Sequence, residues 1–336
     1  MNLSKSWAEL PIKRILGVIL YCCFPLVSAH ANSLPSWNQS STKQAIINFV
    51  ERTTNPDSSD FVPVPERVAV FDNDGTLWSE QPLYFQAFYI LDQIKALAPE
   101  HPEWKEEEPF ASALKRDFST LMNFGHEELI KLVTATNGNV SADQFQESVR
   151  NWLKTAKHPT TGKSYTSMVY QPMLELLEYL RSHEYKTFIV SGGGIDFIRV
   201  FSENCYGIPP EQVVGSSNRA SYQIIDGRPT IIKDSVLSFY NDGPGKPAGI
   251  HQHIGRRPVM AFGNSDGDFQ MLEWTTAGTG PRLGVLLNHT DHKREWAYDR
   301  NSAIGQLSRG LDEAAAHGWF IIDMASDWAV IHPEDE

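Results

Sequence analysis

Short apolar runs alternate with longer helical stretches along the chain from residue 67 onward. Runs of roughly four to eight apolar residues are typical of strands buried on both faces of a parallel sheet. Four segments have this pattern: Arg67–Phe71, Thr187–Val190, Pro258–Phe262 and Leu283–Leu287. Between them, apolar residues spaced three and four apart indicate amphipathic helices. The alternation predicts an α/β fold in which helices cover both faces of a parallel sheet.

Helical periodicity is clearest before the second predicted strand. One helix is predicted over Thr42–Thr53 and another over Pro172–His183, and residues 82–157 are helical in pattern throughout. Within that block, Ser141 and Gln144 have the spacing of a capping box, which predicts a helix start. Three shorter features complete the prediction: a helix over residues 195–204, a hairpin over residues 223–233 turning at Asp226-Gly227, and an apolar tail over residues 319–333 that packs on the core.

The first 31 residues have the pattern of an export signal. Lys13 and Arg14 end a basic segment, and the apolar stretch Ile15–Ala29 has the length of a signal-peptide core, which is short for a membrane span. Ala29-His30-Ala31 supplies the small residues of a cleavage site. We therefore predict an exported protein, periplasmic or secreted if the source is bacterial, that begins near Asn32. The alternative is an uncleaved membrane anchor.

The charge of the chain limits its partners. A formal net charge of −12 argues against nucleic acid or an anionic membrane as the main partner, because both need a basic face. A small anionic substrate remains compatible, since a bound cation and one lysine can reverse the local field. After signal cleavage only Cys205 would remain, which excludes an internal disulfide and indicates a packing role. The oligomeric state stays open.

Polar, glycine-containing turns follow three of the predicted strands. Asp72-Asn-Asp-Gly-Thr76 ends the first, Ser191-Gly-Gly-Gly194 ends the second, and Gly263-Asn-Ser-Asp-Gly-Asp268 ends the third. Binding sites of such sheets lie beyond the carboxyl ends of the strands, so we expect the three turns to converge.

The turns carry complementary chemistry. Two carboxylates as close as those of Asp72 and Asp74 cannot both stay ionised cheaply unless a cation lies between them or one keeps its proton. Magnesium would satisfy Asp72, and Asp74 would hold a proton for a leaving group. The Ser191 hydroxyl and the neighbouring N–H groups, at the start of a predicted helix, form a cradle for an anion. Taken singly, each turn is also compatible with a purely structural role.

In this order along the chain, the three turns and Lys246 resemble the motifs of the haloacid dehalogenase superfamily. The pattern is strand-D-x-D-G-T, strand-S-G-G, a lysine, and strand-G-x-x-x-x-D. More narrowly it resembles the phosphoserine-phosphatase-like branch, in which a helical cap lies between the first two motifs. The resemblance implies a Rossmann-like parallel-sheet core with a helical cap inserted after the first core strand. The implied organisation is a signal peptide over residues 1–31, a core over residues 32–81 and 166–336, and a cap over residues 82–165.

The resemblance also implies a role for each matching residue. Asp72 would be the nucleophile that forms an aspartyl-phosphate, and Asp74 would protonate the leaving group and then activate water. Ser191 and the N–H of Gly192 would hold phosphoryl oxygens, and Lys246 would neutralise the charge that Asp72 and the phosphate share. Mg²⁺ would bridge nucleophile and phosphate. The implied activity is hydrolysis of small phosphorylated metabolites, as a phosphatase acting on phosphoric monoesters.

One position departs from the family pattern. Family members usually have an aspartate directly after the glycine that Gly263 matches, whereas this chain has Asn264, which offers a carbonyl oxygen without a charge. Asp268 matches the second acid of that motif. The metal ligands are therefore predicted as Asp72, Asp74, Asn264 and Asp268, with Asp266 as the alternative.

Other interpretations of the same residues stay open. A phosphotransferase would use the same intermediate, and a non-catalytic binding protein would keep only the scaffold. A dehalogenase is disfavoured, because that class lacks the second aspartate that Asp74 supplies. Phosphoserine is disfavoured as a substrate, because Gln81, beside Glu80, stands where phosphoserine phosphatases have a glutamate. Five aromatic residues near the cap entrance are interpreted as packing, or else as a specificity pocket: Trp78, Tyr84, Phe85, Phe88 and Tyr89.

Overall fold

The computed structural model describes residues 33–138 and 140–333. The export signal predicted over residues 1–31 lies outside this part of the chain. Within it, no helix has the length and apolar character needed to cross a membrane.

An eight-stranded sheet runs through the described part of the chain. Its strands are β1 (Val68–Phe71), β2 (Val140–Ser141), β3 (Lys186–Gly194), β4 (Val213–Ile225), β5 (Arg228–Phe239), β6 (Met260–Gly263), β7 (Leu283–Asn288) and β8 (Phe320–Asp323). The strand order is β2-β5-β4-β3-β1-β6-β7-β8. Neighbours from β4 to β8 in this order are parallel, whereas β5 pairs antiparallel with β4 and β2. The predicted α/β fold, with its parallel sheet, is confirmed.

Thirteen α-helices surround the sheet in the described residues. They are α1 (Ser41–Thr54), α2 (Phe85–Leu97), α3 (Phe110–Lys115), α4 (Phe118–Asn123), α5 (His126–Asn137), α6 (Ala142–Thr155), α7 (Gln171–Ser182), α8 (Ile195–Ile198), α9 (Ser202–Tyr206), α10 (Gly245–His253), α11 (Phe269–Thr276), α12 (Arg309–His317) and α13 (Met324–Asp327). The predicted capping box forms at the start of α6, where Ser141 and Gln144 exchange side chain–backbone hydrogen bonds.

The central strands are apolar throughout because both of their faces are covered. Every residue of β1 is buried, as expected for a strand between two helical layers. The rings of Phe71 and Phe262 stack across β1 and β6 at 4.6 Å between centroids. This packing fixes the carboxyl ends of the two strands side by side, where two of the polar turns begin.

Helices α2 to α6 lie in sequence between β1 and β3, within the segment predicted as a cap. We call residues 82–165 the helical insertion. Most of its buried apolar residues belong to one apolar cluster with residues of the sheet, for example Tyr89 with Phe71. Helices α5 and α6 also contact β5. The boundaries of a separate cap domain therefore stay a prediction.

Two local predictions were incomplete. The hairpin turns at Asp226-Gly227 as predicted, with both residues at positive φ, but its strands run from Val213 to Phe239. Its outer part is exposed on both faces, so the sequence there lacks the apolar alternation that marks a half-buried strand. The helix predicted over residues 195–204 is divided into α8 and α9, and the bend lets Phe201 stack on Trp78 at 4.3 Å.

The carboxyl-terminal tail packs on the core, as predicted. Trp328 and Ile331 are fully buried. Its strand β8 extends the parallel sheet beyond β7, which the sequence analysis did not predict.

Candidate active site

The three polar turns meet at the carboxyl edge of the sheet, as the sequence predicted. The backbone N–H of Asp72 donates to the carbonyl of Phe262 at 2.9 Å, which joins the ends of β1 and β6. A cavity of about 520 Å³ opens at this edge, a size typical of small-molecule sites. Six of the predicted site residues line it: Asp72, Asp74, Ser191, Gly192, Lys246 and the alternative metal ligand Asp266.

Lys246 joins two carboxylates at the base of the cavity. Its Nζ donates to Asp72 Oδ1 at 2.6 Å and to Asp268 Oδ1 at 2.5 Å, and all three side chains are buried. The lysine lies in the first turn of α10. Pro247 is compatible with this helix start, because the first turn does not need its missing N–H.

Burial and charge set the protonation of this group. Burial and the nearby Asp268 carboxylate raise the pKa of Asp72, although Lys246 opposes the shift. Burial alone would lower the pKa of Lys246, but the carboxylates of Asp268 and Asp72 outweigh it, so this pKa is raised. Lys246 therefore remains an ammonium ion and acts as a charge, not as a base.

Asp74 has the environment of a proton donor. Its Oδ1 accepts a hydrogen bond from the indole N–H of Trp78 at 2.8 Å, and burial raises its pKa. Gly75 makes the curl that follows, at φ +72°. A Cβ there would lie 2.1 Å from Asn264 Nδ2 and 2.3 Å from Glu80 Oε1, so only glycine fits this close approach.

Glu80 is a buried carboxylate that sequence reasoning did not assign to the site. Its Oε1 accepts hydrogen bonds from Asn264 Nδ2 at 2.6 Å and from the Tyr298 hydroxyl at 2.8 Å. Burial raises its pKa well above the usual range, and the negative charges of Asp74 and Asp72 add to the shift. The chain thus places a carboxylate directly against the asparagine that departs from the family pattern. The sequence feature that could have identified Glu80 is its position eight residues after Asp72, next to Gln81. The Gln81 side chain itself donates to the carbonyl of Ile304.

The two aspartates of the third turn, Asp268 and Asp266, make different contacts. Asp268 Oδ2 accepts hydrogen bonds from the backbone N–H groups of Asn264 and Ser265, both at 3.0 Å, which holds the turn closed. The Asp266 carboxylate accepts from three backbone N–H groups at the start of α12, at 2.8 to 3.1 Å. Asp266 is therefore engaged as a helix cap. Asn264 is engaged as well, because its Oδ1 accepts from the Thr76 hydroxyl at 3.1 Å. The choice between Asn264 and Asp266 as the metal ligand therefore stays a prediction.

Ser191 and the glycines after it form the irregular end of β3 beside the cavity, where the register with β4 shifts, and not the separate turn that the sequence predicted. Ser191 Oγ accepts from the N–H of Gly193 at 3.0 Å, and the carbonyl of Gly192 accepts from Ser216 Oγ at 2.8 Å. The N–H of Gly194 donates to Gln86 Oε1 at 2.8 Å. Helix α8 has only four residues, so the expected contribution of a helix N-terminus is small, and the anion cradle stays a prediction.

Most of the aromatic residues near the insertion pack in its core. Trp78, Phe85, Phe88 and Tyr89 are buried, and of the five only Tyr84 lines the cavity. The packing interpretation therefore holds for four of them.

One solved structure, with a TM-score above 0.5, supports the fold. A conserved, functionally unknown protein from Anaerococcus prevotii DSM 20548 is similar at 16% identity and a TM-score of 0.54, over 86% of this chain and 93% of that one. A protein of unknown function from Bordetella pertussis Tohama I shares 14% identity over 77% and 99% of the two chains, with a TM-score of 0.47. A phosphoserine phosphohydrolase-like protein from Francisella tularensis subsp. tularensis SCHU S4 shares 14% identity over 74% and 98%, with a TM-score of 0.40. No curated protein matches the chain.

A family model gives the assignment. The model described as haloacid dehalogenase-like hydrolase matches residues 69–273, which is more than half of the 336 residues. The match includes all three polar turns and Lys246. The superfamily predicted from the motifs is thereby confirmed, and the chain belongs to the haloacid dehalogenase-like hydrolases.

Proposed function

We propose that this protein is a phosphatase that hydrolyses small phosphate monoesters through an aspartyl-phosphate at Asp72. The observation that carries the proposal is the buried contact of Lys246 with both Asp72 and Asp268 at the base of the cavity. This contact orients the Asp72 carboxylate and holds the Lys246 ammonium beside it, which is the arrangement that phosphoryl transfer to a carboxylate needs.

The first half-reaction transfers the phosphoryl group to the protein. Lys246 holds Asp72 Oδ1, so Oδ2 is the oxygen assigned to attack phosphorus. The bond from phosphorus to the ester oxygen breaks, and its electron pair leaves with that oxygen. Asp74 delivers a proton to the departing oxygen, a role that its raised pKa supports. Ser191 and the N–H of Gly192 are assigned to the phosphoryl oxygens.

The second half-reaction regenerates the protein. Asp74, now a carboxylate, takes a proton from a water molecule as the water oxygen attacks phosphorus. The bond between phosphorus and Asp72 Oδ2 breaks, and the electron pair returns to the Asp72 carboxylate. Inorganic phosphate is released. The Trp78 N–H, bound to Asp74 Oδ1, keeps the carboxyl group in one orientation through both halves.

The charge balance of the site fits a divalent cation. Asp72, Glu80 and Asp268 are buried carboxylates and Asp74 is partly buried, while one ammonium, that of Lys246, lies among them. Within the described residues, no three His, Cys, Asp or Glu side chains converge as a ready metal cage. The donor set proposed for Mg²⁺ instead includes neutral oxygens: Asp72, the backbone carbonyl of Asp74, and Asn264, with Asp268 alongside. These hard oxygen donors suit Mg²⁺, which when bound supplies neutralisation of charge on the phosphoryl oxygens.

Export remains part of the proposal and rests on the sequence pattern of residues 1–31. A periplasmic or secreted phosphatase would meet phosphate esters outside the cytoplasm.

The test is release of inorganic phosphate from an aryl phosphate by the purified protein, with Mg²⁺ and after treatment with EDTA. We expect turnover that depends on Mg²⁺ and that Asp72→Asn abolishes. Asp57→Asn is the matched control, because Asp57 is an exposed carboxylate in a distant loop. No turnover across a broad panel of phosphate monoesters, or full activity in Asp72→Asn, would refute the proposal.

A further inference from the structure

The cavity continues past the catalytic groups into a second part, formed by the helical insertion and the β4–β5 hairpin. The wall of this distal part is largely apolar: Ile90, Leu129, Val133, Phe145 and Leu237 line it. A substrate that fills the cavity therefore has an apolar body beyond its phosphate.

A second lysine lies in this apolar wall. Lys233 lines the cavity and is only 6% exposed. Its Nζ lies 2.6 Å from Asp196 Oδ2 and 3.7 Å from the centroid of the Phe145 ring. Its backbone is fixed on both sides, by Val140 of β2 and Ala220 of β4. The position of the ammonium group is thus set by the sheet and by two side-chain contacts.

A purely structural role explains this lysine poorly. Burying an ion pair costs several kcal/mol of desolvation, and apolar side chains of similar volume often stabilise a protein as well or better. The surrounding wall is already apolar, so an apolar residue at position 233 would pack there without that cost. Lys233 also retains bonding capacity, since an ammonium carries three N–H donors and the contact with Asp196 uses one.

The distribution of charge along the cavity indicates what Lys233 binds. Two of the described residues that line the cavity carry a positive charge, Lys246 at the catalytic end and Lys233 at the distal end. Carboxylates crowd the catalytic end, among them Asp72, Asp74 and Glu80, and they repel any second anionic group of a substrate. The distal end also has a carboxylate, that of Asp196, but it is paired with Lys233. A second anionic group of the substrate is therefore repelled least beside the distal ammonium.

The two ends belong to one cavity of about 520 Å³. Asp196 follows Ser191 by five residues, so their Cα atoms are at most about 17 Å apart. Resting on the phosphatase function proposed above, we propose that Lys233 binds a carboxylate at the far end of the substrate. The substrate class is then a phosphate monoester with an apolar body and a terminal carboxylate.

Two matched aryl phosphates test the proposal. One bears a propanoate side chain para to the phosphate, and the other bears the neutral methylamide of that side chain. Two methylene groups separate the charge from the ring, so the two leaving groups are nearly equal. We expect kcat/KM to be about 10-fold to 100-fold higher for the carboxylate, the range for a hydrogen bond between charged groups in a buried site.

Lys233→Gln is expected to reduce this ratio of kcat/KM values to near one. Lys186→Gln is the matched control and is expected to keep the ratio, because Lys186 is exposed at the opposite end of β3. The wild-type comparison needs no variant, so it decides the matter even if Lys233→Gln does not fold. Equal or lower kcat/KM for the carboxylate in the wild type, or an unchanged ratio in folded Lys233→Gln, would overturn the distal site and leave the phosphatase standing. Failure to hydrolyse either compound, together with inactivity on the broader panel, would overturn the phosphatase itself.

Discussion

Asn264→Asp restores the acid usual in the family, and the structure predicts that this change is costly without metal. Asn264 Nδ2 donates to Glu80 Oε1 at 2.6 Å, and both side chains are buried. Aspartate would replace this N–H donor with an oxygen. Two carboxylates would then face each other at contact distance, and one of them would have to take a proton or share a cation.

The size of the effect follows from the lost contact. A buried hydrogen bond contributes about 0.5–1.5 kcal/mol, and a buried partner left unsatisfied costs about 1–3 kcal/mol more. We expect Asn264→Asp to reduce the free energy of unfolding by roughly 3 kcal/mol in EDTA. For a chain of this size that lowers Tm by about 4–5 °C. Mg²⁺ should recover much of the loss, because a cation relieves the repulsion between the carboxylates.

Thermal unfolding in EDTA and in Mg²⁺ measures both effects without relying on activity. The double variant Asn264→Asp/Glu80→Gln is the informative partner, since its glutamine amide returns a donor to the contact. It should be more stable in EDTA than Asn264→Asp alone. The control is Asn123→Asp, an exposed helical position where the change should stay within about 0.5 kcal/mol. Unchanged Tm in metal-free Asn264→Asp, with no gain from Glu80→Gln, would refute the assigned contact.

Three further outcomes are expected. Asp74→Asn should slow alkyl phosphate turnover by ~10²–10⁴-fold. Aryl phosphate turnover should slow less, because an alkoxide needs a proton as it departs and an aryl oxide needs it less. Equal losses for the two substrates in single-turnover phosphorylation would exclude Asp74 as the acid. Burial raises the pKa of the Cys205 thiol to about 11, so peptide mass spectrometry should find slow native alkylation at pH 8 and fast alkylation after unfolding; fast native labelling would contradict this protonation state. N-terminal sequencing from the native host should find a mature chain beginning near Asn32, whereas retention of Cys22 would favour an anchor.

The sequence predicted those strands and helices whose pattern of apolar residues reflects how they are buried. β1 and β6 read as continuous apolar runs because both faces are covered, and the turn after each carries the polar residues of the site. Convergence of the turns followed from the rule that parallel strands present their carboxyl ends at one edge. The outer hairpin was predicted only around Asp226-Gly227, since strands exposed on both faces leave only their turn chemistry as a signal.

The sequence did not predict contacts made between distant segments. Asn264 and Glu80 lie 184 positions apart, and no local pattern links an asparagine to the acid that it contacts. Asp266 resembled a metal ligand, but its partner is the start of α12, more than 40 positions later. Lys233 had no motif at all. Its significance comes from burial beside Asp196 and Phe145, which only the folded chain brings together.

The most direct test of the central claim is the identity of the phosphorylated residue. Asp74→Asn protein, in which breakdown of the intermediate should be slow, would be mixed with an aryl phosphate and Mg²⁺, quenched in acid and reduced with borohydride. Reduction converts an aspartyl-phosphate to homoserine, which peptide mass spectrometry locates. The account predicts homoserine at position 72. Phosphate on another residue, or continued turnover with no covalent intermediate, would contradict it.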